Sequence, residues 1–168
     1  LAATLVVGGG SPHGFLYWGE LKNAINLYYD NNTTVAEKAK SDYGDISTWN
    51  TSEVDKFYGL FEDMDTVNPN ITNWDTGKVK DMGLMFYGAK SFNQPIGQWD
   101  TRKVESMYLM FHDATAFNQP LDGWITSKVD RMEYMFQAAV AFDKPIGHWD
   151  TRKVETMKGM FNQAKNFS

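Results

Sequence analysis

The sequence predicts an α/β repeat solenoid: a right-handed stack of 25-residue coils, each giving one short parallel strand and one short helix, behind a helical N-terminal cap. Three observations predict it. Trp recurs at 49, 74, 99, 124 and 149 with no insertion. The residues around each Trp keep their apolar identity in phase, and two amphipathic segments precede the first unit. A 25-residue coil cannot bury its own apolar face, but it can bury that face against the coils above and below.

The phased columns carry the argument. Thr stands two residues after each Trp (51, 76, 101, 126, 151), Val five after (54, 79, 104, 129, 154) and Phe twelve after (61, 86, 111, 136, 161). Eight after it come Phe57, Met82, Met107, Met132 and Met157; eleven after it come Leu60, Met85, Met110, Met135 and Met160. Ile46, Ile71, Ile96, Leu121 and Ile146 stand three before. The units are therefore 42–66, 67–91, 92–116, 117–141 and 142–166, with residues 167–168 opening a sixth that is truncated.

Within a unit, "PIGQWDT" places Ile96 and Trp99 between Pro and Gly breakers, which predicts a short extended segment. Val104, Met107, Met110 and Phe111 then follow at the spacing of one helical stripe, which predicts a short helix or 3₁₀ turn. Ser52 with Asp55 and Ser127 with Asp130 read as helix starts. The repeats make residues 45–168 the solenoid.

In front of it, residues 15–44 read as the cap. "ELKNAINLYYD" aligns Leu21, Ala24, Ile25 and Tyr28 on one face, and "TVAEKAKSDYG" has Thr34 and Glu37 as a capping box with Gly44 as a stop. Residues 1–14 read as an apolar arm left after processing of a targeting segment. At the other end, the expectation is either further coils or a cap, or a last coil resting on a partner.

Composition narrows the function classes. Hydrophobic residues make up 42% of 168, enough for one domain with a core. There is no Cys, hence no disulfide framework or thiolate metal site. No apolar run approaches the roughly 18–20 residues that cross a bilayer. Residues 1–75 hold 4 basic and 11 acidic side chains, leaving 12 and 10 for residues 76–168, so the front carries −7 and the back +2. Such a front repels phosphate backbones, and the small basic excess behind it is no nucleic-acid footprint.

The string "FNQPIGQWDTRKVESMYLMFHDATAF" resembles the BspA-like leucine-rich-repeat surface proteins of the 25-residue type, over about residues 42–168. The lead into the first W-x-T unit is similar to that of such arrays in microalgal proteins. The resemblance implies a leucine-rich-repeat-like coil stack, adhesive or protein-binding roles, a cell-surface setting and no enzymatic activity. An organelle lumen or a peripheral membrane complex stays open. Ile125, Arg102, Arg152 and Val67 depart from the family pattern.

Chemistry-bearing patterns are thin. Asp75, Asp100 and Asp150 form a column broken by Ile125, and an Asp before Thr bonds a backbone N–H at a turn more often than it holds calcium. His13, His112 and His148 lack ligand spacing. Trp49, Trp74, Trp99, Trp124 and Trp149 read as structural positions rather than a sugar platform. No cofactor is expected. The candidate partner-binding ridge is Lys78, Arg102, Lys103, Lys128, Arg152 and Lys153, which stacking would draw into a basic line; interleaved with Glu105, Asp130 and Glu155 it reads first as a solvated face and second as a docking strip for an acidic partner, and the candidate end-docking surface is Met160, Phe161 and Phe167. The resulting reading is a non-enzymatic scaffold for other protein subunits, docked on a larger complex, with a membrane-bound one among the candidates. The competing reading is an adhesin for carbohydrate or matrix protein.

Overall fold

The computed structural model describes residues 14–168. The arm expected at 1–14 lies outside the described residues apart from Gly14, which pairs in parallel with Asn50.

Two helices lead. The first, α1 (Trp18–Tyr28), buries Leu21, Ala24 and Ile25, one stripe at i, i+3, i+4. The second, α2 (Thr33–Tyr43), buries Ala36 and Ala39. Its N-cap is Asn32, whose side chain accepts from the N–H groups of Thr34 and Val35, so the Thr34–Glu37 capping box does not form. Gly44 ends it at φ 70°, a left-handed conformation that glycine reaches without a Cβ penalty. A 3₁₀ turn at Ile46–Thr48 follows, its start held by the Asp45 carboxylate on Ser47 N–H.

The repeat region corrects the expected fold class. Among the described residues no repeat contains a strand, and none has an α-helix of its own beyond the end of α2 at residues 42–43, so this is not an α/β solenoid. What forms is a succession of i→i+3 turns, and the apolar spacing records them. In the third unit Trp99 N–H donates to Ile96 O, Val104 to Thr101, Met110 to Met107 and Ala114 to Phe111, and Phe117 at the start of the fourth donates back to Ala114. The spacing of three that suggested a helix is the span of a turn. Helix continuation is blocked twice per unit by left-handed residues: ten after each Trp (Gly59, Leu84, Leu109, Tyr134, Gly159) and fourteen after (Asp63, Gly88, Asp113, Ala138, Gln163).

Those reversals turn alternate N–H groups out of the unit and onto its neighbour. Phe57, Gly59, Phe61 and Asp63 donate to the carbonyls of Asp81, Gly83, Met85 and Tyr87 at 2.7–2.9 Å. Met107, Leu109, Phe111 and Asp113 donate likewise to Arg131, Glu133, Met135 and Gln137. Half the segment's N–H groups close turns and half join layers. Each left-handed non-Gly residue costs about 1–2 kcal/mol; each backbone bond between layers returns about 1 kcal/mol. Single parallel bridges mark the register: Lys56 to Asp81, Ser106, Arg131 and Thr156, one residue per 25-residue layer.

The core is a set of continuous columns. Phe61, Phe86, Phe111, Phe136 and Phe161 stack with centroids 5.4–5.8 Å apart. Phe92, Phe117, Phe142 and Phe167 form a second pile at 5.8–6.0 Å. Met82, Met107 and Met132 are fully buried, and each buried side chain of this size contributes about 1.5–3 kcal/mol. Phe15, Leu21 and Ile25 join the same core, so the helices and the layers share one interior.

Candidate functional site

The six ridge residues are all exposed, and their register is as the repeat dictates. Lys78 Nζ lies 2.7 Å from Glu53 Oε2, one unit earlier in the same column. Arg102 folds back on Asp100 with Nε to Oδ1 at 2.9 Å and Nη2 to Oδ2 at 2.7 Å; Arg152 does the same to Asp150 at 2.9 and 2.6 Å. The Arg102 hydrogen bond holds the Asp100 carboxyl at about 2, and Arg152 holds Asp150 at about 2. Exposed pairs of this kind contribute little to stability. Their effect on the ridge is larger, because both arginines are spent locally. Lys103, Lys128 and Lys153 remain without an ion-pair partner among the described residues.

The Asp column makes Asx turns. Asp75, Asp100 and Asp150 accept from the N–H two residues on at 2.9–3.1 Å, and Asn50 accepts from Ser52 in the same way. The Thr column ties layer to layer: Thr51, Thr76, Thr101 and Thr126 donate to the carbonyls of Asp75, Asp100, Ile125 and Asp150. All five tryptophans of the repeat are buried. Trp74, Trp99 and Trp124 donate Nε1–H to the carbonyls of Ile46, Ile71 and Ile96 in the preceding layer, whereas Trp149 Nε1 is buried without a partner. Their ring faces are not available to a sugar.

At the last layer the structure places Met160 in the core, at 5% exposure, and half-buries Phe161 and Phe167, whose rings stack 4.0 Å apart. The apolar side chain standing out there is Met157, 44% exposed. Val154 beside it is partly exposed, whereas Val79, Val104 and Val129 are fully buried. Sequence reading picked the neighbours of Met157 and passed over it because its column is otherwise core.

Two further groups went unread. Trp18 Nε1 donates to Tyr58 O at 2.7 Å, and Lys22 Nζ donates to the carbonyls of Gly59 and Leu60. In later layers the carbonyls at the registers of Tyr58 and Leu60 accept from the preceding layer. Side chains of α1 thus stand in for a layer's backbone donors, and burial pushes the Lys22 ammonium below its ordinary pKa. His112 stacks on Tyr87 at 4.7 Å with Nδ1 buried and unpaired; burial lowers its pKa. A shallow groove of about 330 Å³ runs between the helices and the first layer, lined by Tyr28, Tyr29, Lys40 and Val67 among others.

Among the described residues no cluster of His, Cys, Asp or Glu could hold a metal ion. None of their helices is long and apolar enough to cross a membrane. A family described as "Mycoplasma protein of unknown function, DUF285" matches residues 31–139 and again 55–168. The chain belongs to that family. The two matches begin 24 residues apart (55 − 31), close to one repeat, as expected when a periodic pattern is laid on a periodic chain. No curated protein and no solved structure matches the chain.

Proposed function

We propose that this member of the family is a non-enzymatic scaffold that binds another protein, as a structural subunit of a larger assembly, and that its repeat is of the BspA-like type. The supporting observation is the side of the stack, where Lys103, Lys128 and Lys153 share one register, are exposed and have no ion-pair partner among the described residues, a cationic strip suited to an acidic protein surface. Chemistry-bearing side chains are largely absorbed in turns and layer contacts, which favours binding over catalysis.

The test is capture. The purified 168-residue chain should retain a protein from native extract at low salt, and replacing Lys103, Lys128 and Lys153 by Glu should abolish it; equal retention by the triple variant would defeat the reading. The adhesin alternative draws no support from the five repeat tryptophans, whose indoles are buried.

A further inference from the structure

Ile125 interrupts a polar column at the edge of the ridge. The register one residue after each Trp carries Asn50, Asp75, Asp100 and Asp150, which close Asx turns, but in the fourth layer it carries an isoleucine 48% exposed. The same layer has Ser127 where the layers on either side have Arg102 and Arg152. These registers lie against the lysine register: the Arg102 hydrogen bond lowers the Asp100 carboxyl most and Lys103 lowers it further, and Arg152 and Lys153 act alike on Asp150. The side of layers three to five therefore holds Lys103, Lys128 and Lys153, without ion-pair partners among the described residues, beside one half-exposed apolar side chain, with both arginines tied back on Asp100 and Asp150. Two residues past the lysines, across the buried Val104 and Val129, stand Glu105, Asp130 and Glu155. Because the strip runs along the side of the stack, a layer added at either end lengthens it and does not cover it.

We infer that this strip binds an acidic amphipathic helix of another protein, laid along the stack, with one carboxylate per turn on Lys103, Lys128 and Lys153 and an apolar side chain on Ile125. The inference rests on the scaffold reading and names its partner's chemistry. Spacing selects the helix. The two Phe piles set successive layers 5.4–6.0 Å apart. A helix repeats one face at a pitch of about 5.4 Å, and its residues four apart stand about 5–6 Å from each other. A strand laid the same way repeats a face every two residues, about 6.7 Å, and falls out of step by about 2 Å over two layers. The column itself shows a carboxylate reaching a lysine across one interval, because Glu53 Oε2 of the first layer lies 2.7 Å from Lys78 Nζ of the second. A polyanion suits the strip less well: Glu105, Asp130 and Glu155 run along one edge and repel it, and Ile125 offers it nothing. A protein helix answers both, with basic residues toward that edge and an apolar one over Ile125, so that charge surrounds an apolar centre.

The probe is a synthetic helical peptide of about 18 residues with Glu at i, i+4 and i+8, Leu beside the central Glu and Lys on the far flank, against a control of the same composition whose Glu residues are spread round the helix. The full 168-residue chain should bind the first at low salt at least about tenfold more tightly than the control. Ile125→Asp installs the residue that this register carries at 75, 100 and 150, and should weaken binding at least about tenfold, as should Lys128→Glu. An unchanged melting temperature shows that both variants are folded. Equal binding of the two peptides, or undiminished binding by Ile125→Asp, overturns the inference. So does a sulfated polysaccharide that binds more tightly than the peptide and equally well to Ile125→Asp. In native extract, Ile125→Asp should lose the protein that the unaltered chain retains. If Ile125→Asp keeps it and the triple lysine variant loses it, the scaffold reading stands and the partner assignment is wrong; if the triple variant keeps it too, the scaffold reading fails and the assignment falls with it.

Discussion

Residues 92–104 and 142–154 differ at three positions, Asn93 against Asp143, Gln94 against Lys144 and Gln98 against His148, yet they live differently. The first lies between layers. Thr101 and Val104 are buried, and a Cβ built on Gly97 would meet Pro120 O at 2.5 Å. In the second, Thr151 is exposed, Val154 half-exposed, and a Cβ on Gly147 meets nothing within 4 Å. Nearly identical local sequence therefore yields nearly identical turns with different stakes. The turns are local; the stability sits between layers.

Substitutions made in pairs break or sharpen that contrast. The largest difference should come from Met107→Ala against Met157→Ala. Met107 is fully enclosed, so its truncation should cost about 2–5 kcal/mol in urea unfolding. The Met157 variant should stay within about 0.5 kcal/mol, because water already reaches that side chain. Next is Gly97→Ala, which pushes a methyl against a backbone carbonyl that cannot step aside; about 1–3 kcal/mol is expected. Gly147→Ala should be close to neutral, and equal costs at the two sites would mean that Gly97 is not packed as described.

Thr101→Val comes third. Thr101 Oγ1 donates to Ile125 O and accepts from Ile125 N–H at 2.8 Å, so the variant strands a backbone donor and should lose about 1–2 kcal/mol. Thr151→Val should leave the melting temperature where it was. The smallest effect concerns pH. Burial lowers the folded pKa of His112, so protonation favours the unfolded chain. Stability should be full above the unfolded value of about 6.5 and decline as pH falls through it toward the lower folded value. His112→Gln, which installs the residue that Gln137 supplies one layer on, should flatten that limb of the stability–pH curve.

The period, the core columns and the two leading helices were legible in the residues, because stacking demands identical apolar registers and α1 carries its own stripe. The local conformation was not. Residues three apart meet on one face in a helix and equally at the two ends of an i→i+3 turn, so Met107 and Met110 spoke for both. The deciding signal was the column Gly59, Leu84, Leu109, Tyr134, Gly159: glycine at its two ends marks a left-handed site that Leu and Tyr conceal in the middle. At the candidate site the ridge was legible as a column, but its partial neutralisation by Asp100, Asp150 and Glu53 depended on side-chain geometry. Met157 was hidden for another reason: its phase says core, and only the three-dimensional stack shows it 44% exposed among the described residues.

The contact between α1 and the first layer has a consequence for how the chain finds its register. Slide the array by one whole unit and Trp still meets Trp, Thr still meets a carbonyl, and Phe still meets Phe. The interior is almost blind to translation. Among the described residues, Trp18 on the carbonyl of Tyr58 and Lys22 on that of Leu60 occur once, and they supply the origin from which the layers are counted.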